Sequence, residues 1–321
     1  MHAHPGRCFL AGLDSADPLA TRLGGQDIAA ALSAARAAGM AAVTLSTVAD
    51  LRVLAPDAVT GLRASRPFRP GEAYQDHRRQ LAGIAQVLTR LGLATAVTAQ
   101  AIEGAWATGQ TAVLVACEGG DFLEGRLEPL AEARALGATS LTLVHYRVNE
   151  IGDVQTEPPV HGGLTGFGNE VVAECNRLGL IIDCAHASFA TTVAVLEVSR
   201  RPVMISHSHL DYSDRRHPRL LSRAHAEAVA DAGGLIGAWP SGVIATSLGE
   251  FADEIARLAD LVGADHVAIG TDMDANYRPV LTSYADYAVL PDLLARRGLS
   301  DTATAKILGG NALALLRTCT A

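Results

Sequence analysis

The stretch of residues 180–209 constrains the fold of this chain more than any other. It holds two short apolar runs, residues 180–182 and 203–205, and each run leads to a histidine, His186 or His207. Short continuous apolar runs predict strands that are buried on both faces, as in a parallel sheet. The segment between them has the length and apolar spacing of a crossover helix. Because barrels and open α/β sheets place their chemistry at the carboxyl ends of parallel strands, we expect both histidines to face one site.

The same alternation of strand and helix recurs along the chain. Strands are predicted near residues 43, 114, 143, 182, 205, 237 and 268, and helices are predicted between most of them. This alternation predicts an α/β fold of the (β/α)8 TIM-like barrel type, as one domain over residues 1–321 with C-terminal helices. An open doubly wound sheet is the alternative, but no glycine-rich phosphate-binding sequence follows the first strand.

The predicted barrel lacks its first strand, which is expected just before His2. We therefore expect either coding sequence upstream of Met1 or a gap in the barrel beside His2. An open barrel would leave two strands with unpaired edges, which favours aggregation.

Composition and charge argue against several classes of protein. The net charge is −8 and no basic stripe is present, so a nucleic-acid partner is not expected. The five cysteines show no CxxC spacing, which argues against a disulfide framework and favours a reducing compartment. The amino terminus lacks the apolar core of a signal peptide, and no run reaches the roughly 18 apolar residues of a membrane span. A soluble, cytoplasmic protein without a membrane partner is predicted.

Polar side chains that follow the predicted strands form one set on the barrel rim. The set consists of His2, His4, Glu118, His145, His186, His207 and Asp272. Converging imidazoles and carboxylates are costly to bury without a compensating cation. Nitrogen and oxygen ligands without thiolates suit zinc, with manganese or cobalt as alternatives. Because the set exceeds the three protein ligands of one catalytic zinc, two divalent ions that share a bridging carboxylate are predicted.

Members of this set also have structural interpretations when they are taken alone. His2 and His4 form an H-x-H pair that also fits a disordered start or a tag remnant. Glu118 precedes two glycines, so it also fits a helix N-cap or a turn. A carbamylated lysine bridges the metals of many amidohydrolase barrels, but the only lysine, Lys306, lies in the predicted C-terminal helices. Glu118 is therefore the remaining candidate for the bridge.

Several motifs together resemble the membrane (renal) dipeptidase family, metallopeptidase family M19, whose barrel is amidohydrolase-like. They are Gly-Leu-Thr-Gly-Phe-Gly-Asn-Glu-Val-Val from residue 163, Asn-Arg-Leu-Gly from residue 176, Ile-Ile-Asp-Cys-Ala-His-Ala-Ser from residue 181, Cys-Glu-Gly-Gly-Asp from residue 117, Leu-Thr-Leu-Val-His from residue 141, Ile-Ser-His-Ser from residue 205, Arg-Arg at 215–216, Gly-Thr-Asp-Met-Asp from residue 270 and Gly-Asn at 310–311. The resemblance covers most of the chain from about residue 110 onward. Before that point it depends mainly on the histidine pair.

The resemblance implies the division of ligands between the two ions. One zinc is held by an amino-terminal H-x-D and the aspartate of the last strand, the second by two histidines, and a glutamate bridges both. The matching residues here are His2, Glu118, His186, His207 and Asp272. His4 stands where the family has aspartate. Because imidazole is neutral and carboxylate is anionic, the first metal is expected to be held less tightly.

The resemblance also implies a zinc-dependent dipeptidase that accepts a C-terminal D-residue. A water that bridges the ions has its pKa lowered toward about 7, and the resulting hydroxide attacks the peptide carbonyl. Asp272 would take or shuttle the proton, and His145 would stabilise the developing oxyanion. Arg216 would pair with the terminal carboxylate of the substrate.

Two other functions stay open at this point. One is the same dinuclear chemistry on a non-peptide amide, a lactone or a modified amino acid. The other is a non-catalytic homologue that binds a metal or a partner.

Dimers are common in the family, so a homodimer is an alternative to a monomer.

Overall fold

A parallel sheet curls through the centre of the protein, as seen in a computed structural model that describes residues 1–211 and 217–320. The strands of the described chain are β1 Ala42–Val48, β2 Leu54–Asp57, β3 Gly61–Ala64, β4 Ala112–Glu118, β5 Ala138–Thr142, β6 Ile181–Asp183, β7 Met204–Ser208, β8 Leu235–Ala238 and β9 Val267–Ile269. Seven of these described strands form the sheet, in the order β1-β4-β5-β6-β7-β8-β9, and every neighbouring pair is parallel. The parallel barrel-type sheet is as predicted.

The amino-terminal residues occupy the position of the first barrel strand, between β9 and β1. On one side, the Met1 amino group donates to the Ile269 carbonyl at 2.7 Å, and Asp272 N donates to the His2 carbonyl at 3.0 Å. On the other side, Ser46 N donates to the Ala3 carbonyl at 3.0 Å. These few residues bridge the carboxyl-terminal side of the expected gap. Toward the amino-terminal side, a cavity of about 400 Å³ with mostly apolar walls lies between the strands and the C-terminal helices.

Helices surround the sheet. They are α1 Pro18–Leu23, α2 Ile28–Ala37, α3 Glu72–Arg90, α4 Ala99–Ala107, α5 Glu128–Ala135, α6 Gly166–Leu178, α7 Phe189–Val198, α8 Arg223–Asp231, α9 Leu248–Val262, α10 Leu290–Ala295, α11 Asp301–Ala305 and α12 Asn311–Thr320. Side-chain N-caps start many of them; Ser188 accepts from Thr191 N and Ser222 accepts from His225 N. The crossover helix predicted between β6 and β7 is α7. No helix among the described residues is long and apolar enough to cross a membrane.

The C-terminal helix α12 covers the amino-terminal end of the sheet. Its buried residues Leu315 and Leu316 belong to one apolar cluster with Ile181, Met204 and Ala268, which come from three different strands. Burying the leucine, isoleucine and methionine side chains of this cluster stabilises the fold by about 1.5–3 kcal/mol each. Because this end is closed by apolar packing, the carboxyl end is left for polar groups.

Two glycines allow the strands to approach closely below the polar end. A Cβ on Gly237 would lie 1.9 Å from the Ser206 carbonyl oxygen, and a Cβ on Gly270 would lie 1.7 Å from the same atom. Neither position accommodates a side chain without displacing β7. The strand that carries His207 therefore has two glycine backbones packed closely against its Ser206 carbonyl.

The amino-terminal third holds elements that the sequence patterns did not predict. The hairpin of β2 and β3 lies after β1, where the sequence pattern predicts no strand, and α1 and α4 lie where it predicts no helix. Each is short, so its periodicity covers too few residues to stand out. Strand β5 ends at Thr142, so His145 lies three residues beyond the strand rather than directly after it.

Candidate metal centre

Six predicted ligands meet at the carboxyl end of the sheet. His2 and His4 come from the amino-terminal segment, Glu118 ends β4, His186 follows β6, His207 lies in β7 and Asp272 follows β9. The four histidines and Glu118 are at most 3% exposed, whereas the side chain of Asp272 is 13% exposed. Five segments separated along the chain therefore deliver six metal-binding side chains to one point.

Glu118 lies at the centre of this set. Its Oε1 lies 3.2 Å from His2 Nε2, 3.4 Å from His186 Nε2 and 3.7 Å from His207 Nε2. Its Oε2 lies 3.3 Å from His4 Nε2. Two groups of metal-binding atoms, each within 4.8 Å, share this carboxylate: one with His2 and His4, the other with His186 and His207. A single carboxylate thus faces two clusters of imidazole nitrogen.

Hydrogen bonds to Nδ1 of His4 and of His207 determine which nitrogen of each ring carries the lone pair. His4 Nδ1 lies 2.9 Å from the Ser46 carbonyl, which can only accept, so this nitrogen carries a proton. His207 Nδ1 lies 2.9 Å from Ser206 Oγ, which itself donates to Asp183 Oδ2 at 2.6 Å. In the neutral rings, Nε2 is then the lone-pair nitrogen.

The Nε2 atoms of the four histidines approach each other closely in two pairs. His2 Nε2 and His4 Nε2 are 3.2 Å apart, and His186 Nε2 and His207 Nε2 are 3.1 Å apart. Neutral imidazoles that face one another and a carboxylate in this way repel unless a cation lies between them. The residues therefore fit divalent metal ions.

The protonation preferences of the buried groups suit metal binding. Burial lowers the pKa of both His186 and His207 well below the ordinary histidine value, which favours the neutral ring that binds metals. Burial alone would raise the pKa of Glu118, but the charges of His145 and His2 and hydrogen bonds from the histidines hold it well below its usual range. His186 and His207 therefore favour the neutral ring and Glu118 the ionised carboxylate. Burial would lower the pKa of His4 as well, but its hydrogen bonds to Asp272, Cys8 and Glu118 outweigh burial and raise that pKa well above the ordinary histidine value.

Two of the candidate ligands have a strained backbone. His186 has φ of 67° and Asp272 has φ of 51°, in the left-handed region that residues other than glycine rarely adopt. Such conformations cost about 1–3 kcal/mol each and persist where the surrounding structure requires them, often at functional sites. Here they aim both side chains into the centre.

His145 lies at the edge of the centre, with Nε2 3.6 Å from Glu118 Oε1. Its Nδ1 bonds to Asp50 Oδ1 at 2.6 Å. Burial lowers the pKa of His145, but the charges of Asp50 and Glu118 outweigh it and raise the pKa to about 9. At neutral pH the ring therefore has an Nε2–H to donate. Asp50 is not among the site residues that the sequence predicts, because no motif marks it and it follows β1 by two residues.

Arg216, the predicted carboxylate-binding residue, lies outside the described residues. The structure instead shows a nearby arginine, Arg219, which is 1% exposed. Its Nη1 donates to Gln155 Oε1 at 2.7 Å, while Nε and Nη2 have no partner among the described residues. The guanidinium lies over the ring of Trp239, 5.5 Å from the centroid.

The charge of Arg219 acts on the centre. It contributes to the lowered pKa of His186 and of His207, after burial. Burial raises the pKa of Tyr146 to about 12 even though Arg219 opposes this shift. A buried cation with two free donors beside the metal ligands is suited to an anionic group of a substrate. The only sequence signal for it was its place in the run Arg-Arg-His-Pro-Arg, residues 215–219.

Replacing His4 by aspartate is expected to tighten metal binding, because affinity for a divalent ion rises with the number of charged ligands. His4 Nε2 lies 3.1 Å from Asp272 Oδ1 and 3.3 Å from Glu118 Oε2, so a carboxylate there adds an anionic ligand to the same cluster. Competition with a chelator, followed by elemental analysis, measures the change. His161→Asp, at an exposed histidine, is the control and should leave affinity unchanged. A larger metal-free fraction in His4→Asp would place His4 outside the ligand set.

Comparison with known proteins agrees with the motifs. The model of the membrane dipeptidase family, peptidase family M19, matches residues 36–321. Dipeptidase aclJ of Aspergillus oryzae is 34% identical over 220 residues, which cover 65% of this chain and 51% of that protein. Dipeptidase verJ of Clonostachys rogersoniana is 30% identical over 234 residues, which cover 71% and 60%. The matched region thus spans about half to three fifths of the length of these curated relatives.

Solved structures agree with the fold. The probable dipeptidase PvdM from Pseudomonas aeruginosa superposes with a TM-score of 0.77 at 18% identity and covers 89% of this chain and 88% of its own. A metallo peptidase from Rhodobacter sphaeroides, liganded with a phosphinate mimic of the dipeptide L-Ala-D-Ala, gives 0.75 at 19% identity and covers 98% and 94%. At these identities the likeness concerns the fold.

Proposed function

We propose that this chain, which belongs to the membrane dipeptidase family (peptidase family M19), is a metal-dependent dipeptidase. The observation that carries the proposal is the pair of metal-binding clusters that share Glu118. Similarity to proteins named dipeptidases supports the reaction type. We also propose, from the sequence alone, that residues 1–321 act as one cytoplasmic hydrolase domain.

Two divalent ions, which we propose to be zinc, would be held by the shared cluster. His2, His4 and Asp272 would hold the first, His186 and His207 would hold the second, and Glu118 would contact both. Oxygen and imidazole donors without thiolates suit zinc. When bound, such ions would polarise the scissile carbonyl and lower the pKa of a water at the site toward about 7.

The side chains of this chain would do the remaining work. His145 donates its Nε2–H to the carbonyl oxygen as negative charge develops there. Asp272, the most exposed carboxylate of the centre, takes the proton of the attacking water and passes it to the leaving amine.

Arg219 is a second candidate for the carboxylate-binding role that the sequence predicts for Arg216. Its free Nε and Nη2 are spaced to bind both oxygens of a carboxylate. A carboxylate that is bound one residue past the scissile bond limits cleavage to dipeptides. Because the contact fixes the carboxylate rather than the side chain, a D-residue at that end is accepted.

Metal analysis together with a substrate panel tests the proposal. The panel holds L-Ala-L-Ala, L-Ala-D-Ala, the amide of L-Ala-L-Ala and tri-L-alanine, each assayed with the zinc-loaded and the chelated protein. Both free dipeptides should be hydrolysed only by the loaded protein, and the amide and tripeptide should be poor substrates. Equal turnover of amide and dipeptide would favour a hydrolase for non-peptide amides or lactones. A loaded protein inactive on the whole panel would favour a non-catalytic metal-binding homologue.

A further inference from the structure

We propose that Asp50 is a positioning residue that holds the imidazole of His145 in its working orientation. The inference rests on the proposed function, in which His145 contacts the substrate. Asp50 follows β1 by two residues and its side chain is fully buried. Its Oδ1 accepts from His145 Nδ1 at 2.6 Å, and its Oδ2 accepts from Tyr146 N at 3.1 Å. One carboxylate therefore binds the ring of His145 and the adjacent main chain.

The hydrogen bond decides which ring nitrogen faces the metal centre. A carboxylate that accepts from Nδ1 keeps the proton on that atom, so Nε2 lies toward Glu118 Oε1, 3.6 Å away. The other ring contacts are with the rings of His186 and Tyr146, whose centroids lie 4.4 and 4.7 Å away at steep angles. Edge-to-face contacts pack either ring orientation, so they do not select between the two nitrogens. Asp50 makes that selection.

The surroundings of Asp50 indicate that its carboxylate interacts mainly with His145 and Tyr146. A buried carboxylate requires compensation by hydrogen bonds or charge. Within the described chain, both hydrogen bonds of the Asp50 side chain go to His145 and Tyr146. The nearby guanidinium of Arg147 instead forms its ion pair with Asp121. The buried charge of Asp50 is thus placed against the working histidine rather than in a separate salt bridge.

A double-mutant cycle separates positioning from a merely structural role. Asp50→Asn keeps the shape of the side chain but replaces one carboxylate oxygen by an NH2 group. That NH2 group would face either the Nδ1–H of His145 or the N–H of Tyr146, which are both donors, so we expect kcat to fall about 10- to 100-fold. KM should change by less than about threefold, because Arg219 still binds the carboxylate. In a His145→Gln background, Asp50→Asn should cause no further loss. An equal loss in both backgrounds would show that Asp50 acts on something other than His145.

Asp76→Asn is the matched control. Asp76 is a buried carboxylate on α3 that pairs with Arg52 and Arg79, so its loss should lower the melting temperature without changing kcat. Asp50→Glu serves if Asp50→Asn does not fold, because it retains the charge but displaces the carboxylate. Its loss of kcat should likewise vanish in the His145→Gln background, and persistence of the loss would overturn the proposal.

A second readout does not need activity. In the zinc-loaded protein labelled with 15N, the imidazole signals of His145, assigned with His145→Gln, should show a protonated Nδ1. In Asp50→Asn this pattern should be replaced by mixed or exchanging signals, while Asp76→Asn should keep it. An unchanged ring pattern in Asp50→Asn would overturn the positioning role. If the wild-type protein hydrolyses no dipeptide but the ring pattern changes as expected, the proposed function fails while the positioning of His145 by Asp50 stands.

Discussion

Glu118→Ala should lose both metal ions together and reduce dipeptide hydrolysis by about 10³-fold or more, since metal ions contribute several kcal/mol to such reactions. Glu118 presents its two oxygens to different histidines, with Oε1 nearest to His2 Nε2 and Oε2 nearest to His4 Nε2. Two cations about 3.5–4 Å apart repel each other, and a shared carboxylate offsets that repulsion. Once it is removed, neither site holds its ion well in the presence of the other.

Elemental analysis after dialysis measures this loss, and a second buried glutamate provides the control. Glu254 is 1% exposed and pairs with His209 at 3.2 Å, away from the shared carboxylate. The Glu254→Gln variant should retain its metal content. Its free energy of unfolding shows how much of any change in Glu118→Ala comes simply from losing a buried carboxylate. Full occupancy of both sites in Glu118→Ala would rule out the bridging role. Loss of a single ion would assign Glu118 to one site.

Arg219→Ala is expected to lower kcat/KM for free dipeptides by about 10²-fold, because each hydrogen bond to a charged group contributes about 1.5–3 kcal/mol. The same substitution should leave dipeptide amides nearly unchanged, since they lack the carboxylate. Arg219→Lys should recover only part of the loss, because an ammonium lacks the paired donors of a guanidinium. Comparing the two substrates within each variant cancels any general effect on folding or metal content.

Arg223→Ala is the matched control for this series. Its side chain is 74% exposed and pairs with Glu227 one helical turn away, so both substrates should be hydrolysed as by the wild type. An equal loss on dipeptide and amide in Arg219→Ala would mean that the guanidinium serves mainly to pack against Trp239. The carboxylate contact would then have to come from another residue.

The sheet and its polar end could be predicted from the sequence because they depend on local patterns. The apolar runs before His186 and His207 are each fully buried strands, and the spacer between them is α7. Strand ends in a parallel sheet share one edge whatever the details of packing. Residues that directly follow such strands, including Glu118 and Asp272, were therefore expected at the rim, and the structure brings them together there.

Contacts between distant segments were decided only by the tertiary structure. Asp50 and His145 are 95 positions apart, and nothing near either residue indicates the other. In the sequence, nothing distinguishes Arg219 from the two arginines at 215–216. In the structure it is buried over Trp239, and its Nε and Nη2 have no hydrogen-bond partner among the described residues. Local periodicity records which face of a strand or helix is apolar, and so it determines the sheet and the edge where its strands end. It carries no information on where the loops beyond that edge fold back, and those loops carry Asp50 and Arg219.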